Sequence, residues 1–232
     1  NAKVATVVNN LKDRNLDSSY AAAYFPWVQI LDPIADRLVH TPPSVVALGT
    51  ISNSQNKSEL WFAPAGFNRG GLTGGAAGIP VVGITQKLTS KDRDTLYDAN
   101  INPIASFPSE GIVVFGQKTL QVTPSALDRI NVRRLMIFLK KEISRIANTI
   151  LFDQNVQVTW NRFTGKVEPF LRSVQSGLGL TEYKVVLDNS TTTPELIDRN
   201  ILYAKIFLKP ARSIEFIAID FNISSTGAAF DD

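Results

Sequence analysis

The 232-residue chain holds one histidine, His40, in Leu38-Val39-His40-Thr41-Pro42, and no cysteine. Thiol nucleophiles, zinc ribbons, iron–sulfur clusters and disulfide frameworks are thereby excluded. A histidine-dependent triad or metal site would have to be built on that single residue. No Gly-x-Ser-x-Gly elbow accompanies it, so His40 reads as a surface or strand-edge residue rather than a base. Asp92, Asp94 and Asp98 fall on a short helical segment, and Asp188, Glu195 and Asp198 flank turns beside Pro194, where carboxylates are ordinary. The run Arg69-Gly70-Gly71-Leu72-Thr73-Gly74-Gly75-Ala76-Ala77-Gly78 invites comparison with a phosphate loop. It lacks both the Gly-Lys-Ser/Thr ending and the Gly-x-Gly-x-x-Gly spacing between strand and helix that backbone capture of a phosphate requires. Trp27, Trp61 and Trp160 lie too far apart in sequence to form a local box and read as core. The residues therefore predict no enzyme, no cofactor and no metal.

Recognition chemistry is better represented. Six basic side chains, Arg129, Arg133, Arg134, Lys140, Lys141 and Arg145, fall on one amphipathic segment against Asp128 and Glu142. On a 100° wheel Val132, Leu135, Met136, Leu139, Ile143, Ile146 and Ile150 form its apolar stripe. Arg129, Arg133 and Lys140 lie on one flank and Arg134, Lys141 and Arg145 on the other, with Ile130 and Ile137 between them. Such a face is either solvated or docks onto an acidic partner.

The elements that must position these residues can be read in outline. Ser125-x-x-Asp128 resembles a capping box and predicts a helix of about 27 residues from Ser125 to Phe152. A second amphipathic helix is predicted from Lys166 to Ser176, with Gly177 as its stop. Three strands are expected after it: Tyr183 to Leu187, Leu202 to Lys209 by alternation, and Ile217 to Ile223. Upstream, Val4 to Leu11 has helical spacing, Tyr24 to Leu31 reads as one buried strand, Thr89 or Ser90 caps a short helix, and Gly111 to Gly116 bounds an apolar strand. Helices followed by strands give α+β for the second half. The expected division is 1–83, ending in the glycine-rich connector; 84–223, an α+β domain; and 224–232, a small polar tail suited to an extended arm.

With 44% hydrophobic and 19% charged residues the chain can bury a core without staples. No apolar run reaches the length of a membrane span and the polar N-terminus lacks a signal-peptide layout. The chain opens at Asn1 and its one methionine is Met136, as expected of a piece of a longer product. The net charge of +3 is unevenly spread: residues 1–100 carry 9 basic and 8 acidic side chains, residues 101–178 carry 10 and 5, and residues 179–232 carry 5 and 8. A basic middle and an acidic end suit association between unlike patches of identical copies. The pI of 9.1 also leaves a basic nucleic-acid-binding module as the alternative, although no known nucleic-acid motif occurs.

Several segments together resemble the tail sheath proteins of contractile phage tails and related contractile injection systems. Trp61-Phe62-Ala63-Pro64-Ala65-Gly66 is similar to the family's tryptophan followed by Pro-Ala-Gly. Asn100-Ile101-Asn102-Pro103-Ile104 and Gly111-Ile112-Val113-Val114-Phe115-Gly116-Gln117-Lys118-Thr119-Leu120 resemble its Asn-x-Asn-x-Ile element and Val-Trp-Gly-x-Arg-Thr-Leu strand. Ile130-Asn131-Val132-Arg133-Arg134-Leu135 is similar to the opening of its long helix. Phe152-Asp153-Gln154-Asn155, Trp160, Pro169-Phe170-Leu171 and Pro210-Ala211-Arg212-Ser213-Ile214-Glu215-Phe216-Ile217 continue in the family's order. Phe115 stands where the family has tryptophan, Lys118 where it has arginine, and Gly177-Leu178-Gly179 approximates its glycine pair. The resemblance implies a C-terminal sheath domain preceded by the end of an α/β domain. It implies a structural subunit that polymerises helically around an inner tail tube and contracts to drive it through an envelope. The implied partners are other sheath subunits, the tube protein, the baseplate and the tail terminator, with no membrane or nucleic acid. The implied location is the virion tail, with assembly in the host cytoplasm. In the family, terminal arms add strands to neighbouring sheets, and Ser224, Ser225, Thr226, Gly227 and Phe230 are the matching candidates.

Overall fold

The computed structural model describes residues 3–73, 75 and 78–219. Helix α1 (Val4–Lys12) buries Val4 and Val8. Strands β1 (Ala23–Phe25), β2 (Val28–Asp32) and β3 (Arg37–Thr41) follow, then helix α2 (Pro43–Lys57), started by Pro43, and the single turn α3 (Gly66–Arg69). The continuous strand expected from Tyr24 to Leu31 is therefore two strands in different sheets. Pro26, which has no N–H to donate to a ladder, falls between them, and Trp27 is 47% exposed rather than core.

Strand β4 (Val81–Ile84) is followed by helix α4 (Ser90–Asp98), strand β5 (Ile101–Phe107) and strand β6 (Gly111–Val114). Thr89 caps α4 reciprocally: its hydroxyl accepts from the Asp92 N–H at 3.2 Å, and its own N–H donates to the Asp92 carboxylate at 3.0 Å. One sheet runs β1-β5-β6, with β1 parallel to β5, and another runs β3-β2-β4, all antiparallel. Residues of the glycine-rich run lie beside β6: the Leu72 N–H donates to the Ile112 carbonyl and the Val114 N–H to the Gly70 carbonyl, both at 2.8 Å. A Cβ on Gly70 would stand 2.4 Å from the Val114 carbonyl oxygen, so this close approach requires glycine. Val28, Val46, Leu72, Val81, Ile104, Ile112 and Val114 share one core, which draws from both sides of residue 83.

The long helix is shorter than its periodicity predicts. Ser125 caps only a 3₁₀ turn at Ala126–Asp128. Arg129 is extended and bridges Lys118, and the Ile130 N–H donates to the Gln117 carbonyl at 2.8 Å. That pairing pulls the backbone out of helix, so no capping box forms and α5 spans Ile130–Asn148. The predicted stripe is the buried one. Val132, Leu135, Leu139 and Ile150 are buried, and Met136, Ile143 and Ile146 pack half-buried against them. Ile130, placed among the basic flanks by the wheel, is buried too, while Ile137 is exposed.

Helix α6 spans Gln157–Ser176, nine residues longer at its start than the sequence predicts, and carries Pro169 within it. Strand β7 (Leu180–Val186), the short helix α7 (Pro194–Asp198) and strand β8 (Lys205–Pro210) complete the described elements. β7 and β8 form a two-stranded antiparallel sheet, which is marginal alone. It is held by the largest core, where Trp61, Leu135, Leu139, Trp160, Phe163, Val167, Leu171 and Val174 are buried beneath Tyr183, Val185, Ile206 and Leu208. Each fully buried Leu or Val there contributes about 1.5–3 kcal/mol. The third strand expected from Ile217 is absent through residue 219, and the rest of it lies outside the described residues. Among the described residues no helix is long and apolar enough to cross a membrane.

Candidate functional site

The motif residues prove to be joints between distant segments. Asn102 is fully buried in β5. Its side-chain amide donates to the carbonyls of Ala23 (3.0 Å) and Lys118 (2.8 Å), and its oxygen accepts from the Lys118 N–H (2.6 Å). One side chain thus ties β1 and the segment entering α5 to β5. The Trp61 indole donates to the Gly177 carbonyl at 2.7 Å, and Gly177 and Gly179 lie against its ring. Asn131 donates to the Trp61 carbonyl at 3.3 Å, which brings the first turn of α5 to the same joint. The Trp160 indole donates to Asn155 (2.7 Å), whose amide reaches the Ile201 carbonyl (3.1 Å). His40 lies exposed on β3 with Gln29 as its hydrogen-bond partner at 3.2 Å. Among the described residues no group of acidic or histidine side chains is arranged to hold a metal.

The six basic residues do not form one surface. Arg129 pairs with Glu215 (2.7 Å) and Asp128 (3.1 Å). Burial works against its charge, but the hydrogen bond and the field of Glu215 outweigh it and raise its pKa. Arg133 donates to the Ser19 hydroxyl and stacks over the Tyr20 ring at 4.2 Å. Arg134 donates to Gln55 on α2 at 2.9 Å; burial lowers its pKa, and the neighbouring Tyr24 opposes that shift. Burial pushes the Tyr24 phenol up to about 12, moderated by Arg134. Arg145 pairs with Glu142 one turn away at 2.8 Å while remaining exposed. Lys140 and Lys141 are exposed and, among the described residues, make no ion pair. The three arginines at the start of α5 thus hold the chain's own segments, and the outward positive charge is concentrated at Lys140 and Lys141.

These two lysines line a groove of about 610 Å³ together with Tyr20, Met136, Ile137, Ile143, Ile206 and Leu208. It lies between α5 and β8, whose outer edge has no strand partner among the described residues.

A second cluster could not be assembled from sequence spacing. Gln117 donates to Ser213 (2.6 Å) and Glu215 (3.2 Å), so Glu215 receives both Gln117 and Arg129. Tyr97 faces the same carboxylate. Burial, reinforced by Glu215, raises its phenol well above the usual range. Lys118 donates to the Tyr97 carbonyl (2.7 Å) and stands 4.2 Å over its ring; burial and the nearby Arg129 lower its pKa. The contributors are spread from residue 97 to residue 215, and only the closing Pro210–Ile217 motif hinted that its glutamate matters. The arm candidates Ser224, Ser225, Thr226, Gly227 and Phe230 lie outside the described residues.

The fold is α+β, with its polar motif residues tying distant segments together. Known proteins similar to this chain are tail sheath proteins. Residues 122–224 match the family model of the phage tail sheath C-terminal domain. The chain is 37% identical to the tail sheath protein of Vibrio phage KVP40, over 97% of this chain and 32% of that protein. It is 35% identical to the tail sheath protein of Enterobacteria phage T4, over 94% of this chain and 32% of that protein. The chain thus spans about a third of the length of the curated relatives it matches. Its fold superposes on a sheath complex of an extracellular contractile injection system in the contracted state with a TM-score of 0.82 at 26% identity, covering 96% of this chain and 61% of that one. The contracted helical sheath of the anti-feeding prophage shares the fold at 24% identity, with a TM-score of 0.77, over 88% of this chain and 56% of that one. The chain is related to the contractile phage tail sheath proteins, as its motifs resemble.

Proposed function

We propose that this chain is part of a structural subunit of a contractile tail sheath, which polymerises helically around an inner tube and contracts to drive it through a target envelope. The observation that carries this reading is the similarity to tail sheath proteins over nearly the whole chain, joined to the fold shared with a contracted sheath. The role involves no chemical step. The subunit sits in the phage tail of the virion after assembly in the host cytoplasm. Its partners are further sheath subunits, the tube protein, the baseplate and the tail terminator.

Segment 1–83 is proposed as the end of an upstream α/β region packed onto the C-terminal sheath domain at 84–223, and 224–232 as the arm. The two-stranded β7–β8 sheet offers open edges on which a neighbour's arm can pair, since main-chain bonding joins copies without fixing the rest of each body. Heterologous contacts of this kind propagate as helices when they do not close. Of the six basic residues on and beside α5, Lys140 and Lys141 are positioned to meet a neighbour or the tube. Arg129, Arg133 and Arg134 hold the subunit's own segments, and Arg145 remains exposed beside its partner Glu142.

The test is to express the protein from its intact gene with and without residues 224–232 and image both. The reading expects helical tubes only when the tail is present, with equal melting temperatures. Tubes from the truncated form would overturn the arm assignment.

A further inference from the structure

The last backbone hydrogen bond described towards the C-terminus runs from the Ala211 N–H to the Gly179 carbonyl at 3.0 Å. From there to residue 219 the chain is in neither strand nor helix. Ile214, Phe216, Ile217 and Ile219 are 82%, 83%, 78% and 64% exposed. A stretch with four outward apolar side chains and no ladder has no hydrophobic or main-chain reason to follow one path. Two side chains nevertheless turn inward. Ser213 meets Gln117 at 2.6 Å, and Glu215, whose side chain is only 17% exposed, meets Arg129 at 2.7 Å and Gln117 at 3.2 Å. Both receptors are fixed: Gln117 is buried, and Arg129 is held by Asp128 and by its bridge to Lys118.

We infer that Glu215, assisted by Ser213, anchors the C-terminal segment against the start of α5, so that residues 216–219 leave the anchor in one direction. The anchor is charge-assisted and partly buried, and such bonds are roughly twice as strong as neutral ones, whereas the apolar residues flanking it remain exposed for contacts outside the subunit. Glu215, Arg129 and Gln117 are thus positioning residues for the arm. This consequence rests on the sheath reading, while the anchor itself does not.

The absence of cysteine makes the test clean. Spin labels at Ile219→Cys and Ser144→Cys in the 232-residue chain report the distance between the segment and α5. The wild-type background should give one narrow distribution. Glu215→Gln should broaden it and Glu215→Ala more so, the anchored fraction falling roughly tenfold or more on loss of the charge-assisted bond. Glu215→Ala combined with Arg129→Gln should be no broader than Glu215→Ala alone, because both remove the same contact. A broad distribution in the wild-type background, a narrow one in Glu215→Ala, or a melting transition that collapses with the anchor would each overturn the inference. Imaging of the intact-gene protein separates the two readings. Tubes unaffected by Glu215→Ala would remove the positioning role and leave the sheath reading standing. A narrow distribution with no wild-type tubes would do the reverse.

Discussion

Replacing Arg133 and Arg134 by alanine should destabilise the subunit, while reversing Lys140 and Lys141 to glutamate should not, although all four lie on one helix. Arg133 loses its bond to Ser19, about 1 kcal/mol, and its stacking on an exposed Tyr20, about 0.5 kcal/mol. Arg134 loses its bond to Gln55, about 1 kcal/mol, together with the packing of its stem. Part of that is offset, because one buried Arg134 nitrogen, Nη1, has no partner and its burial is relieved. The net is about 2 kcal/mol, equivalent to a melting temperature lower by roughly 4–8 °C for a chain of this size. Lys140 and Lys141 are exposed, and such substitutions typically stay within about 0.5 kcal/mol each, so the reversed pair should melt within roughly 2–4 °C of wild type. The assay is thermal unfolding by circular dichroism, followed by imaging of the same variants. The lysine pair should lose assembly with its fold intact. Unchanged melting of the arginine pair, or a larger drop for the lysine pair, would refute this division of the helix.

Asn102→Ala should cost about 3 kcal/mol, since it leaves the Lys118 N–H and the carbonyls of Ala23 and Lys118 without their buried partner; urea denaturation measures it. Asn102→Asp should be worse, because it sets a buried oxygen against two carbonyls. Gly179→Ala should cost about 1–3 kcal/mol in the same assay, because its Cβ would stand 2.8 Å from the Val174 Cγ1 and 3.0 Å from the Trp61 ring. Asp92 is held below the usual carboxylate range by its backbone and side-chain bonds to Thr89. Its contribution is therefore complete above about pH 4 and lost as pH falls through the lowered value, so Asp92→Asn should flatten the acid limb of an unfolding titration.

What was legible in the sequence was periodic. The stripe Val132, Leu135, Leu139 and Ile150 could be read because a helix buries one face, and Thr89 could be read as a cap because its partner Asp92 is three residues away. What was not legible depended on distant chain. Nothing local says that Arg129 will be drawn into β pairing with Lys118, and this shortened the predicted helix at its start. The first nine residues of α6, ending in Gly165, were missed because burial of Trp160 and Phe163 there overrides weak propensity. The basic flanks of the wheel lie on the helix except for Arg129, which stands extended just before it. Their partners Ser19, Gln55 and Glu215 lie 79 to 114 residues away in sequence, so spacing could not distinguish tethered arginines from free lysines.

Negative-stain imaging of the protein expressed from its intact gene tests the central claim most directly. A sheath subunit predicts regular helical tubes with a hollow axis that can accommodate an inner tube. Single particles or closed rings under conditions where the protein is folded would contradict it.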